Sequence, residues 1–177
     1  MSAKHCSFCR KSEREVSTLI AGDASVYICN ECVRLSLPLL DQEREPALYV
    51  SSRVAHLPMW ARLRAGGMPI ISTWINHAKT PEDFSMLWRT IEREIQQCSA
   101  FVLYVMEPDD FPLKGALVEV GMALTAGRRV FVALEDGIEL EGDTFRPLGS
   151  WIKHPGVTLV HQTNALDEAL RLALAVS

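Results

Sequence analysis

Four of the chain's five cysteines fall within its first 32 residues, as CSFC (Cys6 and Cys9) and CNEC (Cys29 and Cys32). No other feature constrains the fold as tightly. Two CxxC pairs at this separation match a four-thiolate zinc site: each pair turns two sulfurs to one side of a tight knuckle, and two knuckles complete a tetrahedron. Four thiolates leave no open coordination position, so the expected metal is a structural Zn2+. A redox motif needs one CxxC and leaves the second unexplained. Metal binding also accounts for how about 35 residues can fold, because so short a segment buries too little apolar surface alone. No organic cofactor is expected.

The segment CSFCRKSEREVSTLIAGDASVYICNECV resembles the N-terminal zinc-binding domain of the ClpX unfoldase. The likeness rests on the CSFC knuckle, the VSTLIAG segment and VYICNECV leading into a helix, and spans roughly residues 5–40. It implies a module, taken as residues 1–42, that dimerises and captures adaptors or substrates without doing chemistry. A passive cap with no partner is the alternative. No GxxxxGK[ST] loop occurs in the chain, so the family's ATPase does not follow.

Behind the module, VRLSLPLL reads as a short helix that Pro38 bends or ends, and residues 41–46 (DQEREP) as a linker. From Ala47 short apolar runs alternate with helical periods. Strands are expected at 47–52, 68–73, 100–105, 129–134 and 157–160. Helices are expected at 56–65, 84–98, 115–126 and 165–175, the second from the recurrence of Phe84, Leu87, Trp88, Ile91, Ile95 and Cys98. Such alternation means βαβ units: an α/β, flavodoxin- or Rossmann-like domain at 47–177, with a parallel sheet and helices on both faces. Ligands in such sheets bind beyond the carboxyl ends of the strands, which directs attention to the segments after Val50, Ser72, Val105 and Leu134. No GxGxxG follows the first strand, which argues against a dinucleotide fold of the usual kind.

With 48% apolar residues the chain has material for a core, and its net charge of −4 argues against a nucleic-acid binder. No apolar run approaches the length of a membrane span, and the N-terminus lacks the apolar stretch of a signal peptide. The expected compartment is the cytoplasm.

One carboxylate stands out. In the apolar helix GALVEVGMALTA, Glu119 must either be solvated, favouring the helix dipole from an early turn, or serve a purpose. The stretch GALVEVGMALTAGRRVFV, preceded by a strand and an acidic loop, resembles the signature of the nucleoside 2-deoxyribosyltransferases and their nucleotide N-glycosidase relatives. Gly115, Glu119 and Gly121 match its G-x-x-x-E-x-G arrangement, and LYVSSR matches the opening strand, with Tyr49 at a tyrosine position. The likeness spans roughly residues 47–135. It implies Glu119 as a nucleophile or stabiliser of an oxocarbenium-like centre, and a second acid to protonate the departing base. The family's acidic residue on the preceding helix aligns with Glu92. A further family aspartate has Leu113 in its place, with Asp109 and Asp110 just upstream, so Asp110 is the other candidate acid.

Around them, Ser51, Ser52 and Arg53 are candidates to hold a sugar or phosphate, Trp74 to stack on a base, and Lys114 with Gly115 to meet an anion. Each has a plainer role: rim packing for Trp74, solvated cations for Arg53 and Lys114. His56 and His77 read as lone histidines in polar surroundings, and Cys98 as core. The leading expectation is N-glycosidic cleavage, by hydrolysis or transfer, of a nucleoside or nucleoside monophosphate, in a dimer or through a protein partner met by the zinc module. Two other readings stay open: a binding module for a nucleotide-derived ligand without turnover, and an adaptor of the Clp proteolytic system.

Overall fold

The computed structural model describes residues 4–41, 45–76, 84–143 and 145–176. Within it the chain divides into two compact units, Met1–Arg44 and Glu45–Ser177.

In the first unit β1 (Leu19–Ala21) pairs antiparallel with β2 (Tyr27–Cys29), Leu19 opposite Cys29 and Ala21 opposite Tyr27. The helix α1 (Asn30–Asp41) follows without a break, so Cys29 ends a strand while Cys32 sits one turn into a helix. The helix continues past Pro38 to Asp41, so the proline does not end it. A proline removes one amide donor, which need not end a helix already begun.

The second unit is built on a parallel sheet of β3 (Leu48–Ser51), β4 (Ala100–Val105), β5 (Arg129–Leu134) and β6 (Val157–His161), in that spatial order. All residues of β3 and β4 are buried, as are all but the first of β5, which is why these strands read as unbroken apolar runs. One face carries α3 (Phe84–Gln97) and α4 (Lys114–Thr125), packed through Ile91, Ile95, Val120 and Ala123 onto Phe101, Leu103, Val130 and Val132. The other carries α2 (Leu57–Ala65) and α5 (Ala165–Ala175), through Trp60, Ala169, Leu170 and Ala173 onto Val50, Val102 and Phe131. The expected α/β layering, helices on both faces, is what the chain adopts. Among the described residues no helix is long and apolar enough to cross a membrane.

The expected strand at 68–73 is the exception. It reduces to a parallel bridge between Ile70 and Leu48, on the side of β3 away from β4. Side chains replace the rest of the ladder. The Ser72 hydroxyl accepts from Val50 N at 2.7 Å, and the Trp74 indole N–H donates to Val50 O at 2.7 Å. Pro69 contributes no amide donor, and the chain turns into a single 3-10 turn at Thr73–Asn76. The connectivity survives this loss. The chain steps to one side of β3, then crosses back to β4 on the other, which makes the carboxyl end of β3 a topological switch point.

Candidate functional site

In the first unit the four cysteine sulfurs lie within 4.8 Å of one another. Cys6 and Cys32 Sγ are 3.8 Å apart and Cys9 and Cys29 Sγ 3.6 Å. A tetrahedron with Zn–S bonds of about 2.3 Å has edges of about 3.8 Å, so the donor set fits one zinc ion. The knuckles are built for it. Arg10 takes a left-handed conformation (φ 68°) and returns its amide to Cys6 O, while Cys29 N points at Cys6 Sγ at 3.3 Å and Cys32 N at Cys29 Sγ at 3.4 Å. These four cysteines hold one structural zinc.

In the second unit a cavity of about 480 Å3 opens beyond the carboxyl ends of β3 and β4. The end of β3 and the residues after it supply Ser51, Ser52 and Arg53; the loop after β4 supplies Asp110; the start of α4 supplies Lys114, Gly115 and, one turn further in, Glu119. Trp74, Phe84 and Trp88 wall the other side. A cavity of this size, part aromatic and part polar, suits a small molecule.

Glu119 is the chemical centre. It lies in the second turn of α4, too deep for a first-turn dipole role, and is 9% exposed. Ser51, 2% exposed, donates its hydroxyl to Glu119 Oε2 at 2.5 Å. Burial pushes the carboxyl from its usual 4.5 up to about 7, against the lowering effects of Ser51 and Tyr49. Among the described residues Glu119 joins no ion pair. Tyr49 is wholly buried, and burial and then the Glu119 charge hold its hydroxyl protonated.

Asp110 and Glu92, the two candidate acids, have different fates. Asp110 is 4% exposed; His56 Nε2 lies 2.8 and 2.9 Å from its two oxygens, and Met106 N donates to Oδ2 at 2.8 Å. His56 is therefore buried and paired, against its reading as a lone histidine in polar surroundings, and its ring tilts onto Tyr104 at 5.7 Å. Glu92 is exposed and lines a different cavity, with Gly121 and Arg128, between α3 and α4. The helical period turns it away: Ile91, Glu94 and Ile95 share the inner face, and Glu92 does not. The buried carboxylate of α3 is Glu94, which the sequence reading missed. Its signal was present, a charged residue on the stripe of Leu87, Ile91, Ile95 and Cys98.

The remaining candidates take definite places. Arg53 arches over the cavity mouth, donating to Asp109 O at 2.5 Å, and Ser52 accepts from the Trp60 indole at 2.8 Å. Trp74 is half-buried, with its indole N–H engaged by Val50 O, and Lys114 is exposed. Gly115 lies under the Trp88 ring, where an added Cβ would sit 3.7 Å from it. Cys98 is buried in the core, its thiol pushed up to about 11 by burial. His77 lies outside the described residues.

Comparison with known proteins covers both units. The model of the ClpX C4-type zinc finger family matches residues 4–42. Among solved structures, that of the Clostridium botulinum CMP N-glycosidase, BcmB, superposes with a TM-score of 0.45 at 14% identity, over 71% of this chain and 97% of that one.

Proposed function

We propose that the second unit cleaves the N-glycosidic bond of a nucleoside or nucleoside monophosphate, with Glu119 as the nucleophile. The observation that carries this reading is a buried, unpaired carboxylate held by Ser51 at the floor of a part-aromatic cavity, at the switch point of a parallel sheet. The resemblance of the α4 segment to the nucleoside 2-deoxyribosyltransferases supports the same chemistry.

In the first step a Glu119 oxygen attacks the anomeric carbon. The C–O bond of a glycosyl ester forms as the C–N bond breaks, and the base leaves with that electron pair. We assign its proton to the Asp110–His56 pair, which reaches the cavity wall through Asp110. In the second step water, or the ring nitrogen of a second base, attacks the same carbon as the ester C–O bond breaks and frees Glu119, and its proton returns to the Asp110–His56 pair, completing hydrolysis or transfer. Trp74, Phe84 and Trp88 would flank the base; Ser52, Arg53 and Lys114 would meet the sugar and any 5′-substituent. Attack needs the ionised form of Glu119, so activity of the free enzyme should rise with pH through about 7.

The zinc module serves as a docking or dimerising element in this reading. Its exposed Phe8, Ile20, Leu35 and Leu37 supply apolar surface for either role.

The test is chromatographic. Wild-type protein and Glu119→Ala are incubated with deoxynucleosides and deoxynucleoside monophosphates, with and without a second free base, and released base is quantified. Release by the wild type that disappears in the variant is the expected result, and acceptor dependence separates transferase from hydrolase. Ligand binding without release from any substrate would replace the enzyme with a binding module.

A further inference from the structure

Glu94 has no part in the chemistry above, yet it is a carboxylate only 7% exposed, in the middle of a helix whose other inner residues are apolar. Burying such a group is expensive unless it is well partnered. A carboxylate offers about four acceptor sites. Among the described residues Glu94 uses them on one amide, Thr73 N, at 3.2 Å from Oε1 and 3.1 Å from Oε2. A hydrophobic side chain would fill the place without this cost, so the position asks for an explanation.

Its hydrogen-bond partner leads directly into the cavity wall. Thr73 opens the turn Thr73–Asn76, and the next residue is Trp74, whose indole hydrogen-bonds Val50 O and forms part of the aromatic wall. The turn replaces a regular strand here, so no sheet ladder holds it and its first amide depends on Glu94. The helix that carries Glu94 also packs against the one that carries Glu119. α3 and α4 pack together on one face of the sheet, and the buried Tyr49 hydroxyl experiences both carboxylates. The groups around Glu119 are Ser51 and Tyr49 from β3, with Arg53, Asp109, Asp110 and Lys114 around the mouth and Glu94 on the inner face of α3. Burial is the main cause that raises the Glu119 carboxyl, and the Glu94 carboxylate adds to it in the same direction.

We propose that Glu94 is a positioning residue for this cavity, fixing the Trp74 turn through the Thr73 amide and placing a second buried carboxyl group on the helix packed against that of Glu119. It touches no substrate and acts through two residues that would. The inference rests on the role given to Glu119, and its test is chosen to be readable without turnover.

The experiment follows Glu119 directly, by 13C-carboxyl NMR of the zinc-loaded full chain, with its resonance assigned by loss in Glu119→Gln. Glu94→Gln keeps an oxygen for the Thr73 amide and removes the charge. The expected result is a Glu119 midpoint lowered by about half a unit or more with the fold unchanged. Glu94→Ala removes the acceptor as well, and the indole N–H resonance of Trp74 should then shift or broaden. If the protein releases base, the rising limb of its pH profile should move toward acid in Glu94→Gln by the same amount as the midpoint. A Glu119 midpoint unmoved in Glu94→Gln overturns the electrostatic part, and a Trp74 resonance unmoved in folded Glu94→Ala overturns the positioning part. Should wild-type protein release no base, the glycosidase reading fails, while the two resonances still decide the role of Glu94.

Discussion

Burying Glu119 should cost stability in a way that a single substitution exposes. Its carboxyl is raised from 4.5 to about 7 in the folded chain, first by desolvation. A group with a raised folded pKa favours folding while protonated: its contribution is fully present below about pH 4.5 and lost as pH climbs through about 7. At about 1.36 kcal/mol per unit, the loss is about 3 kcal/mol. Glu119→Gln cannot ionise and so escapes it, while keeping an oxygen to accept from Ser51. Relative to wild type, the variant should gain about 3 kcal/mol between pH 4 and pH 9, roughly 10 °C in Tm for a domain of this size. The assay is urea or thermal unfolding of both proteins at matched pH values, read as their difference. Other titrating groups are common to both and cancel. The fixed effect of exchanging the side chain offsets the curve without bending it, so the slope is the measurement. A difference flat across pH 4–9 would refute the claim that burial holds this carboxyl near neutrality. A gain in stability together with loss of base release would place Glu119 among residues that trade stability for activity.

Other consequences follow from the same contacts. The chain should carry one zinc ion; chelation should unfold β1, β2 and α1 while the parallel-sheet unit keeps its own thermal transition, because a module this small depends on metal energy of about 10–16 kcal/mol. Metal analysis with circular dichroism before and after chelation checks this, and an unchanged spectrum on metal loss counts against it. His56→Ala should cost about 3 kcal/mol in urea unfolding, since it strips a partner from Asp110, whose side chain is 0% exposed. A loss below about 1 kcal/mol would mean that the Met106 amide alone suffices for Asp110.

The zinc ligands were legible in the sequence because their geometry is local: a CxxC spacing forces two sulfurs together whatever surrounds it, and the four sulfurs do converge. The helices and most strands were legible for a related reason, since burial on one or both faces writes a period into the chain. Glu119 drew attention as a carboxylate inside an apolar helix, and burial is the property the fold gives it. The misplacements share a different cause. Glu92 was chosen by alignment to a family pattern, and a shift of two residues on a helix exchanges an exposed side chain for a buried one. His56 looked solitary because its partner Asp110 lies 54 residues away. The stretch at 68–73 has strand composition, but Ser72 and Trp74 side chains took the places of backbone partners on β3. Ligand spacing and hydrophobic period are short-range properties, and the sequence by itself determined them: a C4 zinc module and a parallel α/β unit. Which charges are buried, and hence that Glu94 rather than Glu92 lies on the inner face of α3, was decided only by the tertiary structure. Burial and electrostatic coupling depend on distances in space, and those follow from how α3 and α4 pack onto one sheet.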